Sequence, residues 1–234
     1  DKTYETTMRL GAETTTDDAE GEVVSTADPA VIAAVTDEAL AAGIRALTGE
    51  IDQRPSSVSA TKVDGKRAYD LARAGETVEL KPRQVLIDRL ELTGRPDRDH
   101  ADFVVQCGKG TYIRSLGRDL ALALGTVGHL SMLRRTVVGP FREEGSISLS
   151  KLEALGHIPA LFGALAPVAT ALDDIPALAL TEAQADRLRR GQPVVLTRDA
   201  PLSGALVRAE LDGRLVALVR SDGVSLQPVR VFNL

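Results

Sequence analysis

Residues 107–120, CGKGTYIRSLGRDL, hold the densest group of side chains able to do chemistry. Lys109 sits between two glycines, and Thr111, Tyr112 and Arg114 follow where an apolar, strand-like run gives way to a helix-like one. Glycine lets a backbone approach a ligand closely, the first amides of a helix attract anions, and an arginine in the first helical turn is held by the helix rather than by a loop. The GKG spacing is not that of a Walker loop, so taken alone it is equally a structural turn. A second group is acidic: Asp17, Asp18 and Glu20 in TTTDDAEG. It has the composition of a metal nuclease site, but no distant histidine or carboxylate motif completes one. The single cysteine, Cys107, has no intrachain partner, and His100, His129 and His157 lie far apart, so neither a disulfide framework nor a zinc spacing is present. No metal and no cofactor are expected.

The elements that must position these groups are legible in outline. Residues 2–10 alternate imperfectly and stop at Gly11, as a strand does. Beginning with a strand that has no preceding partner leads us to expect an N-terminal truncation. Asp28 followed by Pro29 reads as an N-cap and first helical residue, and Val31, Ile32, Val35, Leu40, Ile44 and Leu47 predict one helix up to Gly49. Residues 53–75 read as a polar loop closing in a short basic helix that buries Ala68, Leu71 and Ala72 and stops at Gly75. Residues 76–92 and 101–107 form an antiparallel pair, 112–124 a helix with Gly125 as its stop, and 136–141 a short strand. An Ala/Leu-rich helical stretch covers 149–171, and 173–176 is a linker. Thr181 caps a helix, and 193–232 gives short strands broken by Gly and Asp turns. The fold class expected is α+β, a mixed, largely antiparallel sheet with flanking helices, followed by a small C-terminal β-barrel.

Charge narrows the partner. The net charge of −5 argues against a protein that coats nucleic acid, but the distribution is uneven. Residues 1–53 carry 3 Lys/Arg against 12 Asp/Glu, residues 54–118 carry 13 against 9, and the remainder is balanced at 12 against 12. A basic middle in an acidic chain suits the local grip of one structured polyanion, although an ordinary solvated surface has the same composition. The chain lacks the run of about eighteen apolar residues that spans a bilayer and lacks a signal peptide, so no membrane partner and a cytoplasmic location are expected.

Four ordered segments give the chain a specific resemblance. KTYETTMRLGAETTTDDAEG at 2–21, RPSSVSATKVDGKRAYDLARAG at 54–75, GKGTYIRSLGRDLALALG at 108–125 and GHLSMLRRTVVGPF at 128–141 are similar to the TruB family of bacterial tRNA pseudouridine synthases, and the C-terminal unit resembles the PUA domain that these enzymes carry. The resemblance implies a catalytic domain over 1–172 with an RNA-gripping insertion at 53–80, and a PUA-like RNA-binding domain over 173–234. It implies isomerisation of a uridine in the tRNA T-loop to pseudouridine with base flipping and without a cofactor. The expected partner is the T-arm stem-loop of tRNA, with no obligate protein partner.

Site roles follow from the same matches. Tyr4 matches the active-site tyrosine that stacks on the target uracil, since stacking returns about 1–3 kcal/mol to a flipped base. Arg114 matches the arginine that pairs with the catalytic aspartate, where an always-charged fork keeps a carboxylate ionised. Tyr112 and Leu133 match positions lining the uridine pocket, and Asp18 matches a supporting carboxylate. Lys62, Lys66, Arg67, Arg73, Lys109, Arg134 and Arg135 are candidates for the RNA backbone, contacts that set affinity and salt dependence rather than which base reacts.

The family's nucleophile is an aspartate in a GTLDP-like motif, and no such motif occurs in these residues. The expectation is an enzyme whose aspartate lies upstream, the chain as written being inactive. A noncatalytic RNA-binding or tRNA-folding module is the alternative. A guide-RNA-dependent synthase subunit would share the motifs but would need docking extensions for partner proteins.

Overall fold

The computed structural model describes residues 1–56, 62–63, 66–67, 80–156, 158–196 and 202–233. They divide into two compact units, Asp1–Gly145 and Ser146–Leu234.

In the first unit, β1 (Lys2–Leu10), β2 (Ala12–Thr14) and β3 (Val23–Thr26) are followed by α1 (Pro29–Ala33), α2 (Asp37–Ala46) and β4 (Gly49–Gln53). The hairpin β5 (Lys62–Val63) and β6 (Lys66–Arg67) precedes β7 (Arg83–Gly94), β8 (His100–Cys107), α3 (Ile113–Ala123), β9 (Gly128–Val138) and β10 (Phe141–Arg142). Six strands make one antiparallel sheet in the order β10-β9-β1-β8-β7-β4. The strand at residues 2–10 is therefore central, flanked by β8 and β9. Its buried residues alternate: Tyr4, Thr6, Met8 and Leu10 face the core with Phe103 and Val105 of β8, and α3 covers them with Ile113, Leu116 and Leu120. The helix lies close to the sheet because Gly117 leaves room for Leu130; a Cβ there would stand 2.5 Å from Leu130 Cδ2. Gly125 ends the helical segment at φ 74, the left-handed stop its sequence predicts.

Two expectations need correction. The single helix predicted after Asp28 is two. Asp28 accepts from Ala30 N–H and Pro29 opens α1 as expected, but Thr36 Oγ1 accepts from Ala39 N–H at 3.2 Å, and Asp37 and Glu38 favour a fresh N-terminus there. The strand predicted at 136–141 is longer and interrupted: β9 begins at Gly128, and the chain turns at Gly139 and Pro140 before β10. The basic helix expected at 68–75 lies outside the described residues, as does Arg73.

In the second unit, the helical stretch is broken into α4 (Leu149–Ala154), α5 (Ile158–Gly163) and a 3-10 turn (Val168–Leu172). Then come β11 (Ala177–Ala179), α6 (Glu182–Arg189), β12 (Val194–Val195), β13 (Leu206–Leu211), β14 (Arg214–Ser221) and β15 (Ser225–Val231), with sheet order β11-β13-β14-β15-β12. Thr181 and Gln184 complete a reciprocal capping box at α6, and Ala185 and Leu188 seal the helix against Val207, Val219 and Leu226. The α+β class read from the sequence holds in both units. Among the described residues no helix is long and apolar enough to cross a membrane.

Candidate active site

The site is built where the turn after β2 meets the first turns of α3. Thr14 ends β2, and its Oγ1 donates to Asp18 O at 2.6 Å. Asp17 then adopts a left-handed backbone, φ 60, a conformation tolerated by aspartate at a cost of order 1 kcal/mol. Asp17 O accepts from Leu130 N–H at 3.1 Å, which ties the turn to β9. The turn presents Asp18 to Arg114, whose Nη1 donates to Asp18 Oδ2 at 2.8 Å and to Thr16 O at 3.0 Å. Both side chains are about three-quarters buried, at 23% and 22% exposure, so the pair is shielded from much of the screening that weakens surface ion pairs. Burial pushes the Asp18 carboxyl up, but hydrogen bonds from Thr16 Oγ1 and Glu20 N–H, with the Arg114 guanidinium, outweigh it and hold the group below the usual carboxylate range.

Arg114 is placed by its helix, and the helix start is placed by Gln53. This fully buried glutamine at the end of β4 accepts from Tyr112 N–H at 2.8 Å and donates to Tyr112 O at 3.1 Å. α3 has no side-chain N-cap, so the two amide bonds supply the fixed point from which Arg114 projects. One turn later Arg118 donates to Asp17, Asp119 and the Arg54 carbonyl. Burial, assisted by the nearby charge of Asp17, pushes the Asp119 carboxyl above the usual range in spite of Arg118.

A second set of residues shares the core-facing side of β1 and β9. The register pairs Tyr4 with Arg135, Glu5 with Arg134 and Thr6 with Leu133. Directly opposed residues of an antiparallel pair lie on one face, so Tyr4, Leu133 and Arg135 stand together while Arg134 is on the other side. Tyr4 is 6% exposed and Leu133 43%, which makes this the place where the core opens to the surface. Arg135 closes over the tyrosine: Nε donates to Tyr4 Oη at 3.2 Å, and the guanidinium carbon is 5.3 Å from the ring centroid. Arg134 instead forks onto Glu143 through Nε, at 2.7 and 2.8 Å, and through Nη2. Lys109 is exposed in the turn before α3. Lys62, Lys66 and Arg67 lie on the β5–β6 hairpin, whose side chains are not among the described ones. Among the described residues no group of His, Cys, Asp and Glu could hold a metal ion.

Comparison with known proteins identifies the family of the chain. Residues 1–113 match the model of the TruB family pseudouridylate synthase N-terminal domain, 114–190 that of the tRNA pseudouridylate synthase B C-terminal domain, and 175–233 that of the tRNA pseudouridine synthase II C terminus. The tRNA pseudouridine synthase B of Bradyrhizobium diazoefficiens is 51% identical over the whole chain, which covers 68% of that protein. The chain belongs to the TruB family. The synonymous enzyme of Caulobacter vibrioides is 47% identical, and the chain spans 77% of its length. Solved structures of an H/ACA ribonucleoprotein bound to a substrate RNA containing 2'-deoxyuridine and of a Cbf5-Nop10-Gar1 complex share the fold at TM-scores of 0.68 and 0.66. Identities are 22% and 23%; they cover 100% and 98% of this chain and 66% of each of theirs.

The matched TruB N-terminal domain spans Tyr4 and Asp18, and the adjoining match spans Arg114 and Leu133. Three residues of the site were missed from sequence. Arg118 had a usable signal, four residues after Arg114 on one helix face. Gln53 had none, because its partner lies 59 residues away on another element, and for Thr16 only the local bond to Asp18, not the carbonyl contact with Arg114, has a trace in the spacing.

Proposed function

We propose that the protein converts a T-arm uridine of tRNA to pseudouridine, using Tyr4 to receive the flipped base and Arg114 with Asp18 to fix the charged end of the site. The Arg114–Asp18 pair carries the reading, because it holds an ionised carboxylate and an arginine at the strand-to-helix junction of a TruB chain. The glycosidic C–N bond breaks, the uracil turns, and a C–C bond forms to the same ribose carbon. The proton lost from ring carbon is balanced by one gained at ring nitrogen, so the stoichiometry calls for no cofactor. Base entry over Tyr4 requires Arg135 to leave the ring, which frees its charge for a phosphate of the loop. Arg114 has donors in a fixed fork and in this reading bridges Asp18 to the nucleophilic aspartate. That aspartate is assigned to none of these residues, since Asp17 and Asp18 stand in TTTDDAEG and not in a GTLDP-like motif.

Lys62, Lys66, Arg67, Arg73 and Lys109 extend the proposed RNA contact, with Tyr112 beside the pocket and residues 173–234 as an RNA-binding module. Arg134 joins that contact only by exchanging Glu143 for phosphate. A cytoplasmic location, where tRNA is modified, completes the reading. The test is pseudouridine formation in a T-arm stem-loop by the protein expressed from its whole gene. Activity that falls at least about a hundredfold in Arg114→Ala supports the reading. A wild-type protein that leaves the T-arm uridine unchanged overturns it.

A further inference from the structure

α3 carries two arginines one turn apart, and they divide two adjacent aspartates between them. Arg114 takes Asp18. Arg118 donates through Nη1 to Asp17 Oδ2 at 3.4 Å, through Nε and Nη2 to Asp119 Oδ1 at 3.0 and 2.8 Å, and through Nη2 to Arg54 O at 2.8 Å. Adjacent side chains of an extended segment point to opposite sides, so two neighbouring aspartates meet one helix face only if the backbone bends. Asp17 supplies the bend with its left-handed φ of 60. That conformation is strained and persists only where its surroundings over-determine it. Three contacts do so: Asp17 N–H to Thr14 O at 3.2 Å, Leu130 N–H to Asp17 O at 3.1 Å, and the Arg118 guanidinium on the carboxylate. The Asp17 side chain is only 10% exposed. Without Arg118 it would sit as an uncompensated charge near Asp119, a second carboxylate.

We infer that Arg118 is a positioning residue for the reaction: by holding Asp17 in its bend it keeps Asp18 within reach of Arg114, and by bonding Arg54 it fixes that turn to the end of β4. The inference rests on the proposed isomerase function and adds a residue that acts through the Arg114–Asp18 pair without touching substrate. A guanidinium suits the task because one rigid plane reaches two carboxylates and a carbonyl, which a single ammonium cannot do at once.

A double-mutant cycle tests it in the protein expressed from its whole gene, with kcat and KM measured on a T-arm stem-loop for wild type, Arg118→Met, Arg114→Ala and the double variant. Arg118→Met is expected to lower kcat about 10- to 100-fold with KM changed by less than about threefold; added to Arg114→Ala it lowers kcat by less than about threefold, because no pair is left to position. Should Arg118→Met fail to fold, Arg118→Lys replaces it, with a several-fold loss expected alone and none on top of Arg114→Ala. Equal losses in both backgrounds show an independent structural role and overturn the inference, as does a wild-type kcat in the single variant. If Arg114→Ala abolishes activity while Arg118 variants do not lower it, the functional reading stands and this inference falls. If wild type makes no pseudouridine, both fall.

Discussion

Asp18 and Asp222 are both carboxylates held below the usual range, and they differ in where their partners come from. Asp222, fully exposed in the turn between β14 and β15, accepts from Ser225 Oγ and from the Ser225 and Val224 amides, all within three residues. Asp18 is mostly buried and adds to its local bonds an arginine 96 residues away. A stabilised carboxylate alone therefore marks no site, since a tight turn makes one from its own backbone. What sets Asp18 apart is that its ionised form joins distant segments.

If long-range joining is what matters, Arg114→Ala has the largest effect, lowering kcat on the T-arm substrate about 10²- to 10³-fold, whereas Asp222→Ala leaves kcat at the wild-type value. A comparable loss from Asp222→Ala would break the distinction. Next comes Gln53→Ala, which strips a fully buried link across 59 residues, taking Gln53 Oε1 from Tyr112 N–H while Tyr112 O keeps its bond from Leu116 N–H at 3.1 Å. Urea denaturation is expected to show a loss of about 1–3 kcal/mol. The two neighbouring arginines of β9 repeat the contrast on a smaller scale. Arg135→Gln, which loses a partner 131 residues away, weakens T-arm binding about fivefold, near 1 kcal/mol, and flattens its salt dependence; Arg134→Gln, whose partner is nine residues away, changes binding less. Filter binding at several salt concentrations separates them.

The smallest effect is in the pH dependence of stability. Asp18 has a folded-state pKa below its unfolded one, so its contribution is full above the unfolded value and is lost as pH falls through the folded one. Asp119 is raised in the folded state, so its contribution is present below the unfolded value and is lost as pH rises through the folded one. Thermal melts should show Asp18→Asn flattening the acid loss and Asp119→Asn flattening the loss on the other side of the carboxylate range. The same sign in both variants would contradict the opposed environments.

Sequence alone made much of this visible. Alternation marked β1 and β8, and apolar spacing with Gly125 marked α3, because each element carries its own periodicity. Segments of TruB type then picked out Tyr4, Asp18, Arg114 and Leu133. Hidden were the features that depend on elements meeting: the Gln53 bonds under Tyr112, the left-handed Asp17, and Thr36 competing as a cap inside a run whose apolar face reads as continuous. The sorting of Arg134 from Arg135 was hidden for a different reason. Counting alternation from the buried Leu130 puts Met132 and Arg134 on the Tyr4 side, yet the observed register skips Ser131 between Met8 and Thr7 and reverses that count.

That skipped residue puts the stretches of β9 on either side of it out of phase with each other. Leu130 and Leu133, an odd distance apart, reach the same side, and the arginine pair is split so that one member braces the outside while the other guards the tyrosine. The division of labour between two chemically identical neighbours is thus set by a half-period slip in the backbone. Aligning a relative at the arginines alone would miss it, and a change of one residue in length ahead of them would matter more to the pocket than most substitutions within it.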